Sequence, residues 1–231
     1  MSYAMEFAVA ARAESSARAA FIRRTYAHLA GAILAFTALE AVLLQLPGIE
    51  QMVSRMITGH GWLIVLGLFM VVSWLANMWA HSDTSRAVQY LGLGIYTVAE
   101  AIIFLPLLYI ASRFYPQAIP TAGILTLTVF GGLTLAVLVT RKDFSFLGPI
   151  LSIGSLVALG FIIAGIFFGF SLGLVFCFGI VALISGYILY YTSAVLHHYR
   201  TDQHVAASLA LFSSIATLFY YILIIVMRSR D

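Results

Sequence analysis

The sequence predicts an all-α fold, a polytopic membrane protein built as a bundle of seven transmembrane helices. Three observations lead there. Of 231 residues, 62% are hydrophobic and only 9% are charged, against roughly 25% charged in soluble domains. Breaking the chain at charges, Pro and Gly clusters leaves seven apolar segments of about 22 residues, and about 20 suffice to cross roughly 30 Å of hydrocarbon. What remains is a short tail and short loops, with no room for a soluble domain.

The elements follow in order. Residues 1–22 read as a cytoplasmic N-terminal tail, and residues 23–231 as the bundle. Glu6 and Glu14 argue against a transit peptide, and no apolar core suggests a secretory signal. The predicted spans are 24–46, 61–80, 88–112, 120–140, 149–170, 172–196 and 205–227. Between the fifth and sixth, Phe170 and Ser171 stand in for a polar loop beside a ladder of Gly165, Gly169 and Gly173. Small residues every four positions let helices approach closely, so this reads as a tight hairpin with close packing. Arg228 to Asp231 form a polar stop.

Orientation follows the loop bias of Lys and Arg. With a cytoplasmic N-terminus, eight basic residues lie inside: Arg12, Arg18, Arg23, Arg24, Arg86, Arg141, Lys142 and Arg200. Four lie outside: Arg55, Arg113, Arg228 and Arg230. The sequence therefore predicts N-in and C-out.

Missing residues exclude several classes. Scarce charge excludes a nucleic-acid binder. One cysteine, Cys177, excludes an internal disulfide and a Cys-based zinc cage. The single lysine, Lys142, lies in a loop, whereas a retinal Schiff base needs one inside a helix. No His-Glu-x-x-His, Gly-x-Ser-x-Gly or Walker loop occurs, so nothing points to an enzyme, a cofactor or a metal.

Acids inside the spans are the remaining handles. Glu100 falls mid-way along the third segment, near Tyr96, Thr97 and Pro106. A charged acid at the bilayer centre costs roughly 2.5–3.5 kcal/mol on insertion scales. Glu100 is thus a candidate proton or cation site, or else a protonated residue bonded to a neighbouring helix. Glu40 lies near the outer end of the first segment, where it serves as a second candidate or snorkels to the interface. On the seventh segment Ser214, Thr217 and Tyr221 recur at i, i+3 and i+7 and share a face. That stripe lines a hydrated path or bonds between helices. His197, His198, His204 and Asp202 flank one loop, but their spacing matches no zinc motif.

Three stretches carry a family resemblance. Thr140-Arg141-Lys142-Asp143-Phe144-Ser145-Phe146-Leu147-Gly148 resembles the "(R/K)KD-hydrophobic-SFL" signature between helices four and five of the Bax inhibitor-1 family. Tyr187 to Thr192, followed by Leu196-His197, resembles its "YILYDT…H" stretch, and Ser208 to Phe219 resembles its "LYLDxxNLF" stretch. Helix count and order agree, and the bacterial YccA branch looks closest. The resemblance implies a bundle with a central seventh helix. For some members it implies a pH-regulated calcium leak switched by two aspartates, on helices six and seven, and latched by an arginine on helix two. For the YccA branch it implies a partner, a membrane-bound ATP-dependent protease that is bound and restrained.

This chain departs from the switch. The matching positions hold Tyr191 and Ser214, and residues 61–80 contain no arginine. Tyrosine titrates near about 10 and serine not at all in this range, so the two cannot share a proton as two acids do. The expected function is modulation of a membrane protease or of membrane quality control, with a calcium or proton leak as the alternative. The expected site is the lipid bilayer of a bacterial inner membrane.

Overall fold

The computed structural model describes residues 9–82, 85–169 and 171–229. Glu6, Phe170, Arg230 and Asp231 lie outside the described residues, as does the start of the predicted tail. Eight α-helices follow in order among the described residues: α1 Ser15–Leu43, α2 Ile49–Ile57, α3 Gly61–Ala80, α4 Arg86–Phe114, α5 Ala118–Thr140, α6 Leu147–Phe168, α7 Leu174–His197 and α8 His204–Arg228. All but α2 are long and apolar enough to span a bilayer. The protein is an all-helical polytopic membrane protein with seven candidate spans.

Burial separates two spans from the rest. In their most apolar stretches α4 is 61% buried and α8 56%, whereas the other five range from 11% to 22%. Leu156, Phe167, Phe168 and Val175 are exposed, as side chains facing acyl chains are. Lipid is as apolar as leucine, so packing between spans depends on close approach rather than on escape from water.

Two compact units make up the chain. The first comprises Met1–Pro116 and Tyr199–Phe212. In it Phe36 meets Phe104 edge-on at 5.0 Å and Phe212 at 6.2 Å between ring centroids. Gly92 brings α4 against α3, where an added Cβ would fall 2.7 Å from the Ala76 carbonyl oxygen. Ser85 caps α4, its hydroxyl accepting the Ala87 N–H at 3.1 Å. Pro106 sits inside α4 and has no N–H to give the Ile102 carbonyl, a gap that membrane helices tolerate when neighbours are close.

The second unit comprises Gln117–His198 and Ser213–Asp231. Close approach there uses Gly154 against Leu183 and Gly186 against Leu151. This corrects the close-packing part of the reading for Gly169 and Gly173. Gly169 ends α6 at a φ of 72° and Gly173 precedes α7, and a Cβ on either would meet nothing within 4 Å among the described residues. Those two glycines make the turn, and Gly154 and Gly186 make the contact.

Boundaries differ from expectation at the N-terminal end. α1 begins at Ser15, well before residue 24, and ends at Leu43, short of Pro47. Residues 9–22 are not a free segment. Ala10 is fully buried, its N–H donates to the Tyr199 carbonyl at 2.9 Å, and Val9 bridges Arg200. The short α2 lies where a plain loop is expected. Its Ile49, Val53 and Met56 recur at helical spacing and pack on Leu105.

Candidate functional site

Both acids proposed from the sequence lie in the first unit, and both are 4% exposed. Glu100 follows Tyr96 by one helical turn, and the Tyr96 hydroxyl donates to Glu100 Oε1 at 2.6 Å. The Tyr96 ring is wedged between Phe69 and Phe212, each 6.1 Å away. Glu40 differs. Both of its carboxyl oxygens are buried and have no hydrogen-bond partner among the described residues. That sets aside the snorkelling reading, because a snorkelling side chain keeps its head in water.

The geometry relates the two acids. α1 and α4 run in the same direction, because His28 stacks on Tyr90 and, further along both helices, Phe36 meets Phe104. Glu100 precedes Phe104 by four residues and Glu40 follows Phe36 by four. Each carboxyl is therefore displaced by about 6 Å of helix rise, on opposite sides of the ring pair. They are stepped acids with an aromatic layer between, and they cannot act as one proton-sharing dyad.

The positions matching the family switch lie in the second unit. Tyr191 stacks on Tyr187 at 5.6 Å and meets Tyr190 edge-on at 5.3 Å. Ser214 is buried. Of the predicted polar stripe, Thr217 donates to the Ser213 carbonyl of its own helix at 2.9 Å, and the Tyr221 ring packs on Phe176 at 6.2 Å. The Thr217 bond stays within α8 and the Tyr221 ring packs across to α7, so neither contact is a hydrogen bond between helices.

The loop histidines separate to different partners. His198 Nε2 lies 3.1 Å from Asp143 Oδ2, and His197 Nε2 lies 3.1 Å from the Arg141 carbonyl. Asp202 pairs with Arg200 at 2.9 Å, and His204 Nε2 lies 3.3 Å from the Tyr90 hydroxyl.

Asp143 is the polar centre that sequence reasoning passed over. Its Oδ1 accepts the Ser145 N–H at 2.9 Å and the Ser193 hydroxyl at 3.2 Å, while Ser193 Oγ accepts the Phe144 N–H at 2.8 Å. With His198 these bonds clasp the loop after α5 to the end of α7. The Ser145 N–H holds the Asp143 carboxyl down to about 2, slight burial opposes this, and His198 reinforces it. The signal was available: Asp-x-Ser after a helix is an Asx-turn, the aspartate bonding its own backbone two residues on.

Comparison with known proteins completes the picture. Residues 18–231 match the family model described as "Inhibitor of apoptosis-promoting Bax1". An uncharacterised protein of Pseudomonas aeruginosa is 32% identical over 96% of this chain and 93% of its own length. The Arabidopsis thaliana protein LIFEGUARD 4 is 30% identical over 89% of this chain and 83% of its own length. The Schizosaccharomyces pombe protein named Bax inhibitor 1 is 27% identical over 92% and 78%. A model matching nearly the whole chain, and relatives that align over most of their own length, place this seven-span membrane protein in the Bax inhibitor-1 family.

Proposed function

We propose that the protein is a passive, non-enzymatic proton leak whose steps are Glu100 and Glu40. One observation carries this reading: Glu40 holds both carboxyl oxygens inside the protein with no partner among the described residues. An ionised carboxylate in that setting is costly unless something neutralises it. A proton does so with a single acid. Calcium takes about 6–8 oxygens, more than one isolated carboxyl supplies. The stepped placement of Glu100 and Glu40 along the membrane normal supports two relay points rather than one chelate. We take the bundle to lie in a bacterial plasma membrane with its N-terminus in the cytoplasm, which the basic-residue bias and the Pseudomonas relative support.

Modulation of a membrane-bound ATP-dependent protease stands second. A processive protease must grasp a flexible segment, and in the described part of the tail Ala10 is buried and bonded to Tyr199 while residues 15–22 are helical.

The test is flux in liposomes holding the purified full chain, with a pH dye and, in parallel, a calcium dye. Proton flux should fall to background in Glu40→Gln and Glu100→Gln, with little calcium signal in either variant or the parent. Proton flux unchanged by both substitutions would make the acids structural. Calcium flux lost in both would replace the proton with calcium.

A further inference from the structure

Beyond the two acids, α4 carries a second arrangement in the first unit. Its exposed ridge, Tyr90, Gly94 and Val98, separates two apolar grooves. One, of about 710 Å³, lies between α1 and α4 and is floored by Gly31, Ala35 and Leu39. The other, of about 840 Å³, lies on the α3 side of the ridge and is bounded by Val72 and Ile102. The three ridge residues belong to both grooves.

Positive charge gathers at one end of the pair. Arg24 lies one turn before His28 on α1, and Arg86 lies one turn before Tyr90 on α4. The His28 and Tyr90 rings stack at 5.3 Å, and His204 lies 5.0 Å from His28. Arg24 and Arg86 are both within electrostatic reach of His204. Because α1 and α4 run in the same direction, the two arginines lie at the same membrane face. From His28 to Leu39 the first groove runs about 16 Å, about one leaflet of a 30 Å hydrocarbon layer. A helix of a second copy would cover the whole span, whereas an acyl chain covers one leaflet.

We infer that an acidic diacyl phospholipid straddles α4, one chain in each groove, with its phosphate held by Arg24 and Arg86 at the His28–Tyr90 ring pair. The ridge dips at Gly94, where the two chains can approach one another over the helix. A Cβ at Gly94 or Gly31 would meet nothing within 4 Å, so the notch is not demanded by packing within the protein. The inference is independent of the proton-leak reading.

The full chain, delipidated in detergent, is titrated with phosphatidylglycerol or with phosphatidylcholine of the same acyl chains, and bound lipid is counted by native mass spectrometry. One phosphatidylglycerol per chain should be retained and phosphatidylcholine lost. Arg24→Gln and Arg86→Gln should each weaken retention about five-fold. Gly94→Leu should abolish it, with helical circular dichroism unchanged; Gly31→Leu, which fills only the α1 groove, serves as the second variant. Equal retention of the two lipids would overturn the inference, as would retention that survives both glycine variants. So would a dimer of the parent that Gly94→Leu dissociates, which would give the surface to a second copy.

Discussion

In the unit formed by Met1–Pro116 and Tyr199–Phe212, the acids within the spans have one hydrogen-bond donor between them among the described residues: Tyr96 serves Glu100, and Glu40 has none. In the unit formed by Gln117–His198 and Ser213–Asp231, the one acid among the described residues, Asp143, lies in a loop with the Ser145 amide, the Ser193 hydroxyl and His198 around it. Buried polar groups in folded proteins are normally satisfied, and an exception asks for an explanation. The difference between these acids is thus one of completeness, since the second unit has orphaned buried hydroxyls of its own on Thr134 and Thr192. A finished network holds a loop in place. An unfinished one leaves room for something that comes and goes.

The sharpest test of that contrast removes the unfinished group. Glu40→Leu should stabilise the protein by about 3 kcal/mol, the insertion cost of an acid, while ending proton flux. Denaturation in detergent alongside the flux assay checks both, and a destabilised variant would show that Glu40 has a structural partner. Next in size, Tyr96→Phe strips Glu100 of its donor and should destabilise by about 2 kcal/mol, the penalty for orphaning a buried polar group. A double-mutant cycle with Glu100→Gln should show the two effects coupled.

On the other side, Asp143→Asn should cost about 1 kcal/mol, because the carboxylate is half-exposed and screened. Its carboxyl is lowered from 3.8 to about 2. A lowered acid stabilises above its ordinary range and loses that contribution only as pH falls toward the lowered value. The stability difference between parent and Asp143→Asn should therefore stay constant down to the ordinary carboxylate range and shrink only below it. Urea titrations at several pH values would decide, and a difference that vanishes near neutrality would break the assignment. Smallest of all, Thr217→Val should change stability by under about 0.6 kcal/mol, since its hydroxyl bonds only its own helix. Proton flux lost in that variant would return the α8 stripe to the conduction path.

The seven spans were legible because long apolar runs allow only one structure in lipid: every backbone group must be satisfied within its own helix. Their ends were less so. α1 continues back to Ser15 because a helix that has left the hydrocarbon still propagates in water, and nothing in Arg18 or Arg23 stops it. α2 was hidden because a helix of 9 residues is too short to register as a span, although Ile49, Val53 and Met56 carry its period. Glu100 and Glu40 stood out as acids in apolar runs. That one has a tyrosine and the other nothing depends on which neighbours packing brings, and spacing does not reveal it. Asp143 was quoted within a family signature, but its partners Ser193 and His198 lie some fifty residues on.

The rings of Phe36, Phe104 and Phe212 give the proposed path a kinetic character. Between the two acids there is a hydrocarbon plug, which a hydrated ion could pass only by shedding its shell, since narrow apolar constrictions gate by dewetting. A proton needs far less: a brief thread of water, opened when one ring swings aside. Flux through such a device would be paced by ring motion rather than by the supply of protons on either side. It would saturate early as the gradient grows and rise steeply with temperature, a trickle that relieves a membrane without discharging it.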